Sequence, residues 1–240
     1  FTGADLANLL NEAALLATRR NKSLVGMDDI ADAFIKVIAG PKKKARAMKE
    51  EEKKKTAYHE AGHAMIAYHL NLDPVQQISI IPSGRALGYT LNPPAEDKFS
   101  VYRGELKDKI CMLLGGRAAE EIIFGDVSGG ASNDIERATN MARAIVTKYG
   151  MSDKLGLVVY GNDNNEVFLG RDFSSTPNYS DKIAAMIDEE IESIVMNQYD
   201  RALEILKGNM DKLNEVARIL FTEEKISGDD FRAIMEAKTE

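Results

Sequence analysis

The run His59-Glu60-Ala61-Gly62-His63 constrains this chain more than any other feature. Its neighbours Ala57, Ala64, Met65 and Tyr68 are apolar at helical spacing, which demands a helix with at least one buried face. In a helix, residues four apart lie one turn up and roughly 40° around, so both imidazoles point at one spot. Zinc accepts neutral imidazole nitrogens in tetrahedral geometry, and the pattern is that of H-E-x-x-H. Glu60 is offset by roughly 100° from His59 and can reach a water at the metal's open position, as a general base requires. Ala61 and Gly62 are read as leaving room beside the metal for substrate. Gly62 gives up roughly 1 kcal/mol of helix stability against alanine, which points to a local steric demand. A plain surface helix is the competing reading, but the chain has only 3 histidines and two fall in this pattern.

The surrounding composition narrows the class. The chain has 240 residues, 44% hydrophobic and 29% charged, as in ordinary globular proteins. A net charge of −7 argues against nucleic acid as a partner. Cys111 is the 1 cysteine, so no internal disulfide forms, and it sits in an apolar run as a small buried hydrophobe. No run approaches the eighteen or so apolar residues of a membrane span. The chain opens at Phe1 directly into a helical pattern and is read as a piece of something longer, with membrane segments expected outside it.

Periodicity places the elements. Residues 1–40 form a small helical unit, with Leu6, Leu9, Leu10, Ala13, Leu16 and Ala17 on one stripe and a second helix from Asp28 to Val37. The charged run 41–55 reads as a linker, so the second domain covers 56–240. There a helix is expected over 56–70, strands over 76–81 and 86–91 around Pro82-Ser83-Gly84, and a helix over 101–123. A helix over 133–149 follows, then a hairpin over 156–169 and two or three C-terminal helices in which Ile183, Ile187, Ile191 and Ile194 form a stripe. The fold class is α+β, mainly α-helical, with a small sheet. One edge of that sheet is expected to lie open near the metal, where an extended peptide adds as a further strand.

A zinc hydrolase needs a third protein ligand, and the residues leave three choices open. His69 has the spacing of the longer H-E-x-x-H-x-x-G-x-x-H pattern, but Ile66 stands where that pattern needs glycine. Glu120 or Glu121 follows on a second helix, either as ligand or as a support for a ligand histidine. Asp134 lies in a first turn, in line with the apolar Ala138, Met141, Ala142 and Ile145, and an inward carboxylate there needs a partner. The same aspartate also suits a helix N-terminus with no metal at all. Asn133 is read as that helix's cap, with Glu136 completing a capping box.

The runs TAYHEAGHAMIAY, ISIIPSGRALGYT, LLGGRAAEEIIFG and GASNDIERAT together resemble the protease domain of the FtsH family, the membrane-anchored AAA+ zinc metalloproteases of peptidase family M41. FTGADLANLLNEAALLATRR is similar to the helical lid that ends that family's ATPase module. The resemblance covers essentially the whole chain. It implies zinc held by His59, His63 and Asp134, with Glu60 catalytic and Glu120 supporting. It implies one Zn2+ per subunit, a homohexamer that threads unfolded polypeptides, and ATP with Mg2+ in the full-length protein only. It also implies an inner bacterial membrane location, facing the cytoplasm. Gly129 departs from the family's Thr or Ser and is expected to loosen the loop before Asp134. No G-x-x-x-x-G-K-[ST] occurs in the chain, so this piece is not expected to hydrolyse ATP. Two other readings stand beside the zinc endopeptidase. One is an ATP-independent zinc peptidase. The other is a helical oligomerisation module with a structural metal, which Glu60 argues against because a closed site needs no base.

Overall fold

Alanine and glycine dominate one face of the central helix, and this sets the packing. In the computed structural model, residues 2–40, 48–83, 86–94, 100–161 and 179–237 are described. The central helix α3 spans Glu50–His69, after α1 (Gly3–Arg19) and α2 (Met27–Ala39). It starts within the charged run, because Glu50, Glu51 and Glu52 suit a helix N-terminus and the next lysines extend a solvated turn. Ala57, Ala61, Ala64, Met65 and Ile66 of α3 are fully buried.

The helix α4 (Arg103–Phe124) lies along α3 so closely that backbone meets backbone. A Cβ on Gly62 would stand 2.3 Å from the Gly115 carbonyl oxygen and 2.8 Å from Ala119 Cβ. Gly62 therefore faces α4, not substrate, which corrects the expectation that it clears space beside a metal. The small residue is there to let two helices touch.

The opposite faces of α4 join two cores. One gathers Met65 and Ile66 of α3, Ala118 and Ala119 of α4, and Leu213, Val216 and Leu220 of α7 (Met210–Glu223). The other sets Ile110 and Leu114 against Ala138 and Ala142 of α5 (Ser132–Arg143) and Ile187, Ile191 and Ile194 of α6 (Asp181–Lys207). The expected isoleucine stripe is thus core. Cys111 is fully buried, and burial pushes its thiol up to about 12, an inert hydrophobe as anticipated. The helix expected over 133–149 is α5 followed by a wide π turn, Ala144–Lys148, and it ends at Gly150 with φ +57°.

A sheet of three short antiparallel strands packs beside α3. β1 (Gln77–Ser79) pairs with β2 (Tyr89–Leu91), with Ile78 opposite Thr90. Its other edge pairs with β3 (Lys225–Ser227), with Ile78 opposite Ile226, a strand that sequence reading did not anticipate. β1 is therefore central, and the outer edges belong to β2 and β3. The helix α8 (Gly228–Glu236) follows and buries Phe231. Most of the hairpin expected over 156–169 lies outside the described residues, and residues 157–161 form no strand.

In α1 and α2, Leu9, Ala13 and Ala33 make a small core. Leu6 and Leu10 of the expected stripe are instead half exposed, because α2 covers only part of it. Buried Asp29 accepts hydrogen bonds from the Gly26 N–H, Arg20 and Lys22, which joins the two helices.

Gly62→Ala tests the close crossing. Alanine gains about 1 kcal/mol of helix propensity, but forcing a methyl against a fixed carbonyl costs about 1–3 kcal/mol or more. The variant is expected to lose stability in urea unfolding, and an unchanged midpoint would contradict the backbone contact.

Candidate metal centre

His59 and His63 project from the same face of α3, over a stretch of α4 that has no side chain to obstruct them. At Gly116 a Cβ would stand 2.6 Å from His59 Nε2 and 2.6 Å from His63 Nε2. Only glycine leaves room for both rings. The rings meet edge to face, with centroids 4.7 Å apart.

Each imidazole is held by its Nδ1. His63 Nδ1 lies 2.8 Å from the Met112 carbonyl oxygen of α4, which can only accept, so this nitrogen carries the hydrogen. His59 Nδ1 lies 2.8 Å from Glu120 Oε1 and donates to that carboxylate. Both Nε2 atoms are thereby turned to the same point, 3.1 Å apart. Asp134 Oδ2 completes the triangle at 3.4 Å from His59 Nε2 and 3.5 Å from His63 Nε2.

Two nitrogen lone pairs and a carboxylate so close repel unless a proton or a cation sits between them. Tetrahedral zinc with bonds of about 2.0–2.1 Å sets its ligand atoms about 3.3 Å apart, so the three atoms fit such an ion. The proton is the competitor. Burial alone would lower His59, but hydrogen bonds with Asp134 and Glu120 outweigh it and carry the group up to about 10. For Asp134, burial raises the carboxyl, but the two imidazoles more than offset it and hold it far below the usual range. The side chains keep 12%, 11% and 19% exposure for His59, His63 and Asp134, so among the described residues the triangle is not sealed from solvent.

Glu120 is not part of the triangle. It is buried, accepts from His59 through Oε1, and accepts the Ser128 N–H at 2.7 Å through Oε2. Ser128 Oγ also reaches Oε1 at 3.1 Å. These hydrogen bonds hold its carboxyl below the ordinary value although burial opposes them. Glu120 thus ties one histidine to the loop that leads to Asp134. Glu121 instead accepts from the Tyr199 hydroxyl. His69 closes α3 outside the triangle, and its Nε2 is buried with no hydrogen-bond partner among the described residues.

The cap of α5 differs from expectation. A 3-10 turn, Gly129–Ala131, runs straight into α5, so the first free N–H groups come earlier than Asn133. Ser128 supplies the cap, accepting from the Gly130 N–H at 3.1 Å. Gly129 opens this turn, and a Cβ there would meet nothing within 4 Å, so the loop does not depend on its being glycine.

Glu60 lies beside the triangle, buried at 6% exposure. Burial pushes its carboxyl up, with the two imidazoles and the Thr90 hydroxyl pulling the other way. Thr90, Gly88 and Gly116 were not singled out by sequence. Their roles exist only across tertiary contacts, and the one local signal was glycine inside an otherwise helical or strand pattern.

Residues 46–234 match Peptidase family M41, and residues 1–32 match an AAA+ lid domain. The chain is 52% identical over 235 residues to ATP-dependent zinc metalloprotease FtsH 1 of a Thermoanaerobacter species, covering 98% of this chain and 38% of that protein. It is 52% identical over 236 residues to the FtsH of Caldicellulosiruptor bescii, covering 98% and 38%. The FtsH of Thermotoga maritima is 50% identical over 242 residues, covering 100% and 40%. The chain therefore spans well under half the length of these relatives. Among the described residues, no helix is long and apolar enough to cross a membrane.

Gly116→Ala is expected to push the two rings off their common point. Bound zinc, measured by elemental analysis after dialysis, should fall well below about one ion per chain while helical circular dichroism persists. Full zinc retention would show that the rings are not confined by α4.

Proposed function

Because this chain belongs to peptidase family M41, we propose that it is a zinc-dependent endopeptidase in which His59, His63 and Asp134 hold the metal and Glu60 is the general base. The observation that carries this reading is the triangle of two Nε2 atoms and Asp134 Oδ2, with a buried carboxylate next to it. Zinc, when bound, acidifies water and polarises a carbonyl. Glu60 takes the proton of the attacking water and later delivers it to the leaving amide nitrogen. A carboxyl raised by burial suits that work near neutral pH. Glu120 keeps the His59 Nδ1–H in place and so keeps Nε2 free for the metal.

The three-ligand group and the adjacent carboxylate favour catalysis over a structural zinc role in an oligomerisation module, where four protein ligands close the site. An extended substrate would add to the outer edge of β2, since β1 is paired on both sides. Backbone pairing gives little sequence preference, as a degradative enzyme needs.

Residues 1–40 are read as the end of an ATPase module's helical lid and the charged 41–55 run as its link to the protease domain, 56–240. The whole protein would be a membrane-anchored homohexamer of the bacterial inner membrane. Its ATPase ring, using ATP and Mg2+, would unfold misfolded or unneeded membrane and soluble proteins and feed them to these sites on the cytoplasmic side. The names and lengths of the relatives support this reading.

Glu60→Gln is the decisive variant. It should retain zinc at the wild-type level and lower cleavage of unfolded casein by roughly 100-fold or more. Persistent cleavage would remove Glu60 from the role of base.

A further inference from the structure

The carboxylate of Glu60 leaves α3 toward β2 and is gripped there. Thr90 Oγ1 lies 2.8 Å from Oε2 and 3.1 Å from Glu60's own backbone oxygen. The hydroxyl has one proton, and the nearer, charged oxygen is the stronger acceptor. Among the described residues this is the one hydrogen bond that the carboxylate receives. Gly88 closes another side: a Cβ there would stand 2.8 Å from Oε1 and 2.9 Å from Cγ.

A free glutamate samples its last torsion broadly. A carboxylate with Oε2 tied to a hydroxyl and Gly88 close on another side does not. Among the described residues Oε1 has no hydrogen-bond partner, which leaves it for a proton. The donor itself is fixed, because Thr90 stands opposite Ile78, and Ile78 is fully buried and paired on its far side with Ile226.

We propose that Thr90 is a positioning residue for hydrolysis: carried on β2, its hydroxyl orients the Glu60 carboxylate so that one oxygen stays available to the attacking water. This rests on the reading of Glu60 as base. Glu60 touches the reacting atoms, and Thr90 acts through Glu60. The same strand would receive substrate on its outer edge, so one element would align both the peptide and the base.

The test uses the zinc-loaded full-length protein and a short internally quenched peptide. Thr90→Val keeps the side-chain shape and removes the donor. It is expected to lower kcat roughly 10- to 100-fold with KM within about twofold of wild type. Zinc content and melting temperature should stay at wild-type values. Thr90→Ser restores the donor and should recover kcat to within about threefold. Wild-type kcat in the valine variant, a change confined to KM, or zinc lost in step with activity would overturn the proposal. If the valine variant fails to fold, Thr90→Ser and Thr90→Ala carry the comparison, and equal activity of the two overturns it. Glu60→Gln is run alongside. Activity in that variant defeats the base assignment itself, whereas an inactive Glu60→Gln with a fully active Thr90→Val defeats only the positioning role.

Discussion

The candidate metal centre depends on two helices touching backbone to backbone. Where Gly62 meets Gly115, α3 and α4 approach more closely than side chains would allow. That approach brings the Met112 carbonyl within hydrogen-bond reach of His63 and Glu120 within reach of His59. It also places Gly116 beneath both rings. A wider crossing would separate each imidazole from the group that sets its tautomer. Both Nε2 atoms would then lose their common aim, however well α3 itself was formed.

Charge arrangement follows from this packing. Three groups that converge on a point are each anchored from behind: His63 by a carbonyl, His59 by Glu120, and Asp134 by a helix whose start is tied back through Ser128 to the same Glu120. One buried carboxylate thus connects a histidine on α3 to the approach of an aspartate on α5. Convergence costs electrostatic free energy in the folded chain, and a cation relieves it.

The parts of this arrangement that are local were legible in the sequence. The histidine pair and Glu60 are readable from the H-E-x-x-H pattern and helical geometry, and Asp134 stands out as a carboxylate on an apolar stripe, though spacing does not choose it over Glu120 or His69. The helical class, the buried Cys111 and the isoleucine stripe of α6 were also readable, because periodicity reports burial. What could not be read were relations between distant segments. Gly62 looked like clearance for a substrate and is a helix contact. Asn133 looked like a cap, but a 3-10 turn displaced that duty to Ser128. The strand β3 has only 3 residues, too few to show a period, and Thr90 is an ordinary strand threonine until α3 is placed beside it.

The third strand has a temporal consequence. Ser79 Oγ reaches the Glu224 carbonyl across 145 residues of chain, and β3 begins at the very next residue. The sheet that braces Glu60 is therefore completed by a segment that leaves the ribosome long after its central strand. A nascent chain that has already formed its histidine helix and the β1–β2 pair beside Glu60 still lacks the strand that covers the far edge of β1.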